Sequence, residues 1–281
     1  MARDIFITCS DKRELSATIY PSKSKRSFIV FNSALGIKKE FYRDFIEFLV
    51  SNGHSVLSWD ARGIGKSQHK DGVKYDTARM RDWGQIDFEA IINYVLSEKL
   101  ALEEELIVFG HSAGGHLVGL APSIKKVKKI VLISSGTCSW SLYRLQSLPK
   151  ILFSWLILVP ATVRLYGYAP GKLGIGHDLP RGVIMDWRNW SLKRNYLFSD
   201  KSIGEMYYKE VKGSVYAIGF SDDTDFSPEK TIVDLLTYFP NAAKKLKVYT
   251  PKELNTSKIG HFSFFKKNNI TNWRKIIEPL L

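Results

Sequence analysis

The alternation of apolar and polar residues divides this chain into short elements. Residues 5–9 and 14–20 are two strand-like runs, and Asp11-Lys12-Arg13 between them has the composition of a hairpin turn. From residue 28 onward strands and helices alternate. Phe28–Asn32 is an apolar run, residues 41–50 carry helical spacing, and Gly53 stands where a helix C-terminal cap belongs. Residues 55–60 form the next strand. Asp82 followed by Gln85 resembles a capping box, with Asp82 as the cap of a helix on which Ile86, Ala90, Tyr94 and Val95 share a face. Residues 106–109 and Lys129–Ile133 are two further strands. Ile29-Val30-Phe31 and Ile130-Val131-Leu132-Ile133 are apolar throughout, as parallel strands covered on both faces must be. The rhythm predicts an α/β fold with a mostly parallel central sheet flanked by helices.

The rhythm breaks at residues 137–212. A simple crossover needs one helix and short loops, whereas this segment is far longer and carries Trp140, Trp155, Trp187 and Trp190 together with a Gly/Pro-marked stretch over residues 167–182. It reads as a lid inserted over the sheet. Alternation resumes with a strand at Ser214–Phe220, a helix over residues 229–238, a strand over 245–249 and a closing helix over 269–277. The expected organisation is therefore a core of residues 1–136 and 213–281, interrupted by a lid of residues 137–212.

The formal net charge of +13 directs attention to nucleic acid and anionic surfaces. The lysines are scattered in short clusters, such as Lys125, Lys126, Lys128 and Lys129, and no nucleic-acid motif accompanies them, so a solvated basic surface is expected and nucleic acid is not an expected partner. Acidic substrates or transient contact with an anionic surface remain compatible with the excess. Cys9 and Cys138 are too few for a secreted disulfide scaffold, and the first residues hold no apolar signal core, so the expected location is cytoplasmic. The apolar stretch over residues 148–158, followed by Pro160, is short for a bilayer span; it is expected to be a buried or lid helix, with no stable membrane anchor.

The chemistry is concentrated at Gly110-His111-Ser112-Ala113-Gly114, a G-x-S-x-G pattern. A sharp strand-to-helix turn pushes a serine hydroxyl out of the top of a sheet, and the crowding demands small residues two places to either side. Leu106-Ile107-Val108-Phe109 precedes the pattern as a strand, and residues 116–121 follow as a helix-compatible run, with Gly115 adding slack. Such a serine needs a base. His54 and His69 read as surface residues, His111 as a neighbour inside the turn, and His116 as pointing away from it. His261 follows Gly260, beyond the last strand and before the last helix, where a loop overhangs the strand ends. An orienting carboxylate is expected at the end of the strand Ser214–Phe220: Asp223 is the first choice and Asp222 the alternative. For the oxyanion, the amide of Ala113 supplies one donor, and the loop Ser33-Ala34-Leu35-Gly36 the other, through Ala34 or, alternatively, Leu35.

With these residues in place the chain resembles the α/β-hydrolase superfamily over nearly its whole length. Asp60-Ala61-Arg62-Gly63-Ile64-Gly65-Lys66-Ser67 resembles the D-x-R-G-x-G-x-S loop common there, a structural loop after a strand. Asp178-Leu179-Pro180-Arg181-Gly182-Val183 with Trp187 and Trp190, the segment Ile259-Gly260-His261-Phe262-Ser263-Phe264-Phe265, and Trp273 are similar to a little-characterised branch of predicted serine hydrolases. The resemblance implies fold and triad, with no known natural substrate. Asn32-Ser33 stand where His-Gly is usual, and the spacing from Asp223 to Pro228 is one residue longer than common.

The expected function is a serine hydrolase that cleaves a carboxylic ester through an acyl-enzyme, with Ser112, His261 and Asp223 as triad and a small-molecule acyl ester as partner. Trp187, Trp190 and His177 are candidate substrate contacts. No metal or organic cofactor is required. The rival readings are an acyltransferase or thioesterase on the same triad, and a catalytically silent binding protein that keeps the fold.

Overall fold

The computed structural model describes residues 2–24, 26–174 and 176–281. β1 (Arg3–Thr8) and β2 (Glu14–Tyr20) form an antiparallel hairpin that turns through Lys12 at φ 68°. β3 (Phe28–Asn32), β4 (Ser55–Trp59), β5 (Leu106–His111) and β6 (Lys129–Ile133) follow. The two-residue strands β7 (Tyr168–Ala169) and β8 (Leu179–Pro180) pair with each other, and β9 (Ser214–Phe220) and β10 (Ala243–Tyr249) return to the main sheet. The order across that sheet is β1-β2-β4-β3-β5-β6-β9-β10. β2 meets β4 antiparallel; every later pair is parallel.

β3 pairs with β4 on one side and β5 on the other, so the chain reverses its direction of travel across the sheet at β3. In an open parallel sheet that reversal leaves a crevice outside the carboxyl ends of the two strands, where ligands bind. Here those ends are Asn32 and Gly110-His111.

The fully apolar strands β3, β5 and β6 are buried on both faces, as their sequences require. One face packs against the helical run over residues 80–97, through Met80, Phe88, Ile91, Ile92 and Val95. The other packs against the helices Arg43–Ser51 and Ile270–Ile276, through Phe45, Ile46, Leu49, Trp273 and Ile276. The lysines Lys244, Lys245 and Lys247 fall on the edge strand β10, where charge discourages pairing with another chain.

Three local expectations change. The helix over residues 80–97 starts at Met80, and Asp82 sits inside it, accepting the Arg79 N–H at 2.8 Å. After Ala113–His116 the chain tightens at once into the 3₁₀ turn Val118–Leu120 instead of continuing as an α-helix. The apolar stretch of residues 148–158 belongs to a longer helix, Leu145–Tyr166, of 22 residues with mean hydropathy 1.5 in its most apolar window, long and apolar enough to cross a membrane. Pro160 does not stop it. Proline removes a backbone donor and crowds the carbonyl four residues back. A π-helical turn over Ser154–Leu158 precedes it, and Pro160 falls in the first turn of Val159–Tyr166.

Between β6 and β9 the chain leaves the main sheet. Leu145–Tyr166, the β7–β8 pair and the helix Arg181–Ser191 make up most of this excursion. It is pinned to the rest by Asp186, which accepts the Arg79 guanidinium side-on and Arg81 at 3.4 Å, and by Asp200, which accepts Arg81 at 3.0 Å. Gly182 is needed there, because a Cβ would strike the Ala78 carbonyl.

Candidate active site

Ser112 directly follows β5 in a conformation that L-residues avoid, φ 53° and ψ −120°. Such backbone strain persists only where the surroundings enforce it. The enforcement is visible: Ser112 N–H donates to the Ile133 carbonyl at 3.1 Å, and the Ser112 carbonyl accepts Gly115 N–H at 2.9 Å and Ser135 Oγ at 2.9 Å. A Cβ at Gly110 would overlap Gly114 and Gly115, and one at Gly114 would overlap the Asn32 and Ser33 carbonyls. Gly115 supplies room, not slack: a Cβ there would strike Ser135 Oγ, the group that braces the turn. Asn32 adds a clamp, donating Nδ2 to the Gly114 carbonyl at 3.2 Å while its Oδ1 accepts Trp59 Nε1 at 2.8 Å.

His261 lies on the loop after β10, at the same end of the sheet. Its Nδ1 is 2.6 Å from Asp223 Oδ2, and both residues are buried. A carboxylate can only accept, so Nδ1 carries the proton, and in the neutral ring Nε2 keeps the lone pair. Ser112 Oγ and His261 Nε2 make no hydrogen bond among the described residues; both residues line one cavity of about 30 Å³. Phe226 stacks on the imidazole at 4.8 Å.

The two neighbouring aspartates do different things. Asp223 Oδ1 also accepts Ser227 N–H at 3.3 Å. Asp222 accepts the backbone N–H groups of Ile259 and Gly260 at 2.8 and 3.0 Å, so it ties down the loop and does not touch the ring.

His111 is buried behind the site. Its Nε2 lies 2.9 Å from the His261 carbonyl and must donate there, so Nδ1 accepts the Tyr42 hydroxyl at 2.7 Å. Tyr42 in turn accepts the Ala34 N–H at 3.0 Å. Burial, and then the nearby His261, hold the His111 ring far below the usual imidazole range, so it stays neutral. This relay removes Ala34 from the expected oxyanion donors, because its amide is already engaged. The amides of Leu35 and Ala113 make no hydrogen bond among the described residues, and both residues line the cavity with Ser112.

The remaining expectations divide. Trp187 lines the cavity, and its buried indole N–H has no partner among the described residues. Trp190 does not reach it: fully buried, it donates Nε1 to Asp200 at 2.7 Å and packs on Tyr196. His177 is likewise absent from the lining; its backbone N–H donates to the Gly36 carbonyl at 2.7 Å. His116, expected to point away, lines the cavity, with Nε2 at 3.2 Å from the Tyr196 hydroxyl. Burial pushes its pKa down to about 3. Tyr42, Ser135 and Phe226 carried no signal in the sequence, and Asn32 only its place in the Asn32-Ser33 departure; their roles arise from long-range contacts.

A second cavity, of about 330 Å³, adjoins the first and shares Cys138, Gly174, Trp187 and Phe226 with it. Its other walls include the apolar side chains Ile151, Trp155, Leu158 and Val159 of Leu145–Tyr166, with Lys150 and Ser154 of the same helix and Tyr143 and Asp225 beside them. No cluster of His, Cys, Asp or Glu able to hold a metal ion occurs among the described residues.

The loop Asp60–Ser67 is structural in this arrangement. Buried Asp60 accepts Lys39 N–H at 2.8 Å and Lys39 Nζ at 3.3 Å, Gly65 leaves room for that carboxylate, and Arg62 pairs with Asp87 at 2.6 Å.

Compared with known proteins, residues 23–209 match the family described as serine aminopeptidase, S33. No curated protein sequence matches the chain. Among solved structures, the chain is similar to the Pyrococcus furiosus esterase Pf2001, with 18% identity, TM-score 0.58, and 100% of this chain and 91% of that one covered. It is also similar to a soluble variant of monoglyceride lipase from Saccharomyces cerevisiae in complex with a substrate analogue, with 15% identity, TM-score 0.64, and coverage of 98% and 94%. Mouse α/β hydrolase domain-containing protein 10 gives 15% identity, TM-score 0.60, and coverage of 99% and 98%. At these identities the likeness is one of fold.

Proposed function

The chain belongs to the serine aminopeptidase (S33) family of the α/β-hydrolase superfamily, and from that premise we propose that it is a serine hydrolase of carboxylic esters acting through an acyl-enzyme. The observation that carries the reading is His261, held by Asp223 at 2.6 Å, on the wall of the cavity that Ser112 also lines.

The steps follow from the proton positions. With Nδ1–H held by Asp223, His261 Nε2 is the free base. It takes the Ser112 hydroxyl proton as Oγ attacks the ester carbonyl, and returns it to the departing alkoxide. Asp223 stabilises the imidazolium formed between those events. The charge that develops on the carbonyl oxygen is met by the Ala113 and Leu35 N–H groups. Water then attacks the acyl-enzyme with the same base. The relay from Ala34 through Tyr42 and His111 to the His261 carbonyl acts as a positioning chain for the base, without proton transfer.

An ester fits the cavity better than a peptide with a free amino terminus. Among the described residues the lining of the Ser112 cavity holds no aspartate or glutamate to receive an α-ammonium group, Asp225 of the adjoining chamber is paired with Lys150 at 3.0 Å, and His116 is neutral. The apolar chamber next to it suits the acyl chain. The segment over residues 137–212, which supplies most of that chamber, functions as the lid. Hydrolysis of p-nitrophenyl butyrate tests the reading: the protein turns it over, and Ser112→Ala lowers kcat/KM at least about 10⁴-fold. Equal activity of the two proteins refutes the assignment.

A further inference from the structure

The helix Leu145–Tyr166 carries apolar side chains on both sides. Its inner side lines the larger cavity through Ile151, Trp155, Leu158 and Val159, with Lys150 and Ser154 on the same wall. Its outer side carries Phe153, Ile157, Ala161 and Leu165 at four-residue spacing, with Leu156 beside them, and they face solvent: Phe153, Leu156, Ile157 and Leu165 are 55%, 52%, 56% and 74% exposed. Only 17% of its most apolar window is buried. A helix that covers a soluble domain should turn a polar face outward. This one exposes a stripe of the kind that marks a protein or membrane contact.

The charge around the stripe selects between them. From residue 137 to 177 the chain holds Arg144, Lys150, Arg164 and Lys172 and no aspartate or glutamate. Lys150 and Arg164 are exposed on the helix, Lys150 at the rim where it also borders the larger cavity, and the whole chain is at +13. Lys150 meets one acid, Asp225, at 3.0 Å, in an exposed pair that solvent weakens. Apolar side chains flanked by cations and free of anions match an anionic bilayer surface: the apolar groups enter the acyl boundary while the cations remain among the headgroups. The helix lies on such a surface rather than through it, because Val159, Thr162 and Val163 are buried against the rest of the protein and Gly167 leads straight into the β7–β8 pair.

From this we infer that the outer face of Leu145–Tyr166 docks the protein on anionic lipid membranes. The chamber beneath the helix then lies next to the bilayer, and its apolar wall receives a chain that leaves the lipid phase. The docking is independent of the reaction proposed above, which only adds what happens to a chain that reaches Ser112.

Vesicle flotation of the full chain tests it, and carrying Ser112→Ala through the same assay separates binding from catalysis. Vesicles of phosphatidylcholine with 30% phosphatidylglycerol are compared with phosphatidylcholine alone. The protein and Ser112→Ala float equally with the anionic vesicles, and less at high salt. The triple variant Phe153→Ser, Leu156→Ser, Ile157→Ser loses at least about tenfold in partition at an unchanged melting temperature, and Lys150→Gln loses about fivefold. Absence of flotation, equal flotation with both vesicles, or equal flotation of the triple variant overturns the inference. So does light scattering that shows a dimer which the triple variant abolishes, since the stripe would then belong to a second copy. A melting temperature lowered in the triple variant moves the decision to Lys150→Gln alone, whose unchanged partition overturns the inference.

Discussion

At the scale of single residues, the site depends on which proton each group holds, and two aspartates one position apart have opposite assignments. Asp223 faces Nδ1 of His261, and Asp222 holds two backbone amides of the loop. Asp223→Asn offers an amide where an acceptor is required and reverses the tautomer, so kcat for p-nitrophenyl butyrate should fall by about 10⁴ while the fold melts nearly unchanged. Asp222→Asn should instead lower the melting temperature and reduce kcat far less. Comparable losses of kcat in both would contradict the division. His116 gives a pH prediction. Its imidazole titrates near 6.5 when unfolded and at about 3 when folded. Between those values the unfolded chain binds the extra proton, so stability present at neutral pH is lost as pH falls from 6.5 toward 3. Urea unfolding across that window should show a shallower loss for His116→Gln than for the native protein.

At the scale of elements, the strand-to-helix turn is the most constrained piece of the chain. Gly115→Ala places a methyl against Ser135, and overpacking of this kind costs about 1–3 kcal/mol. Ser135→Gly in the same chain should recover part of that loss in urea unfolding, whereas a clash with backbone, as at Gly114, admits no such rescue. The turn was legible in the sequence because its demands are local: small residues at fixed offsets after an apolar strand. β2, β3, β6 and β9 were legible for the same reason, each being a run bounded by polar or turn residues. What was hidden depended on distant partners. Nothing near Ala34 announces that Tyr42 takes its amide, and nothing in Arg181–Ser191 tells Trp187 from Trp190 until the neighbours of each indole are known. The reach of Leu145–Tyr166 was hidden by Pro160, which ends most helices and here follows a π-turn.

At the scale of the whole molecule, the sheet reversal at β3 sets the site, and the excursion between β6 and β9 sets its size. The chamber of about 330 Å³ adjoins a much tighter space at Ser112, with Trp187 in both walls. If acyl chains run from one into the other, kcat/KM should rise from p-nitrophenyl acetate to the octanoate ester, and Trp187→Ala should shift the optimum to longer or bulkier acyl groups. A preference for acetate in both proteins would separate the chamber from the reaction. The ties from Arg79 and Arg81 to Asp186 and Asp200 hold the excursion on the core. Asp186→Asn should open the segment over residues 137–212 to limited proteolysis before the core is cut. The whole account stands on Ser112 being activated by His261, and covalent labelling reads that directly. With a fluorophosphonate probe and peptide mass mapping, a single adduct is predicted on Ser112, formed far more slowly in His261→Ala and Asp223→Asn. An adduct formed equally in Ser112→Ala, or carried on another residue of the native protein, would contradict it.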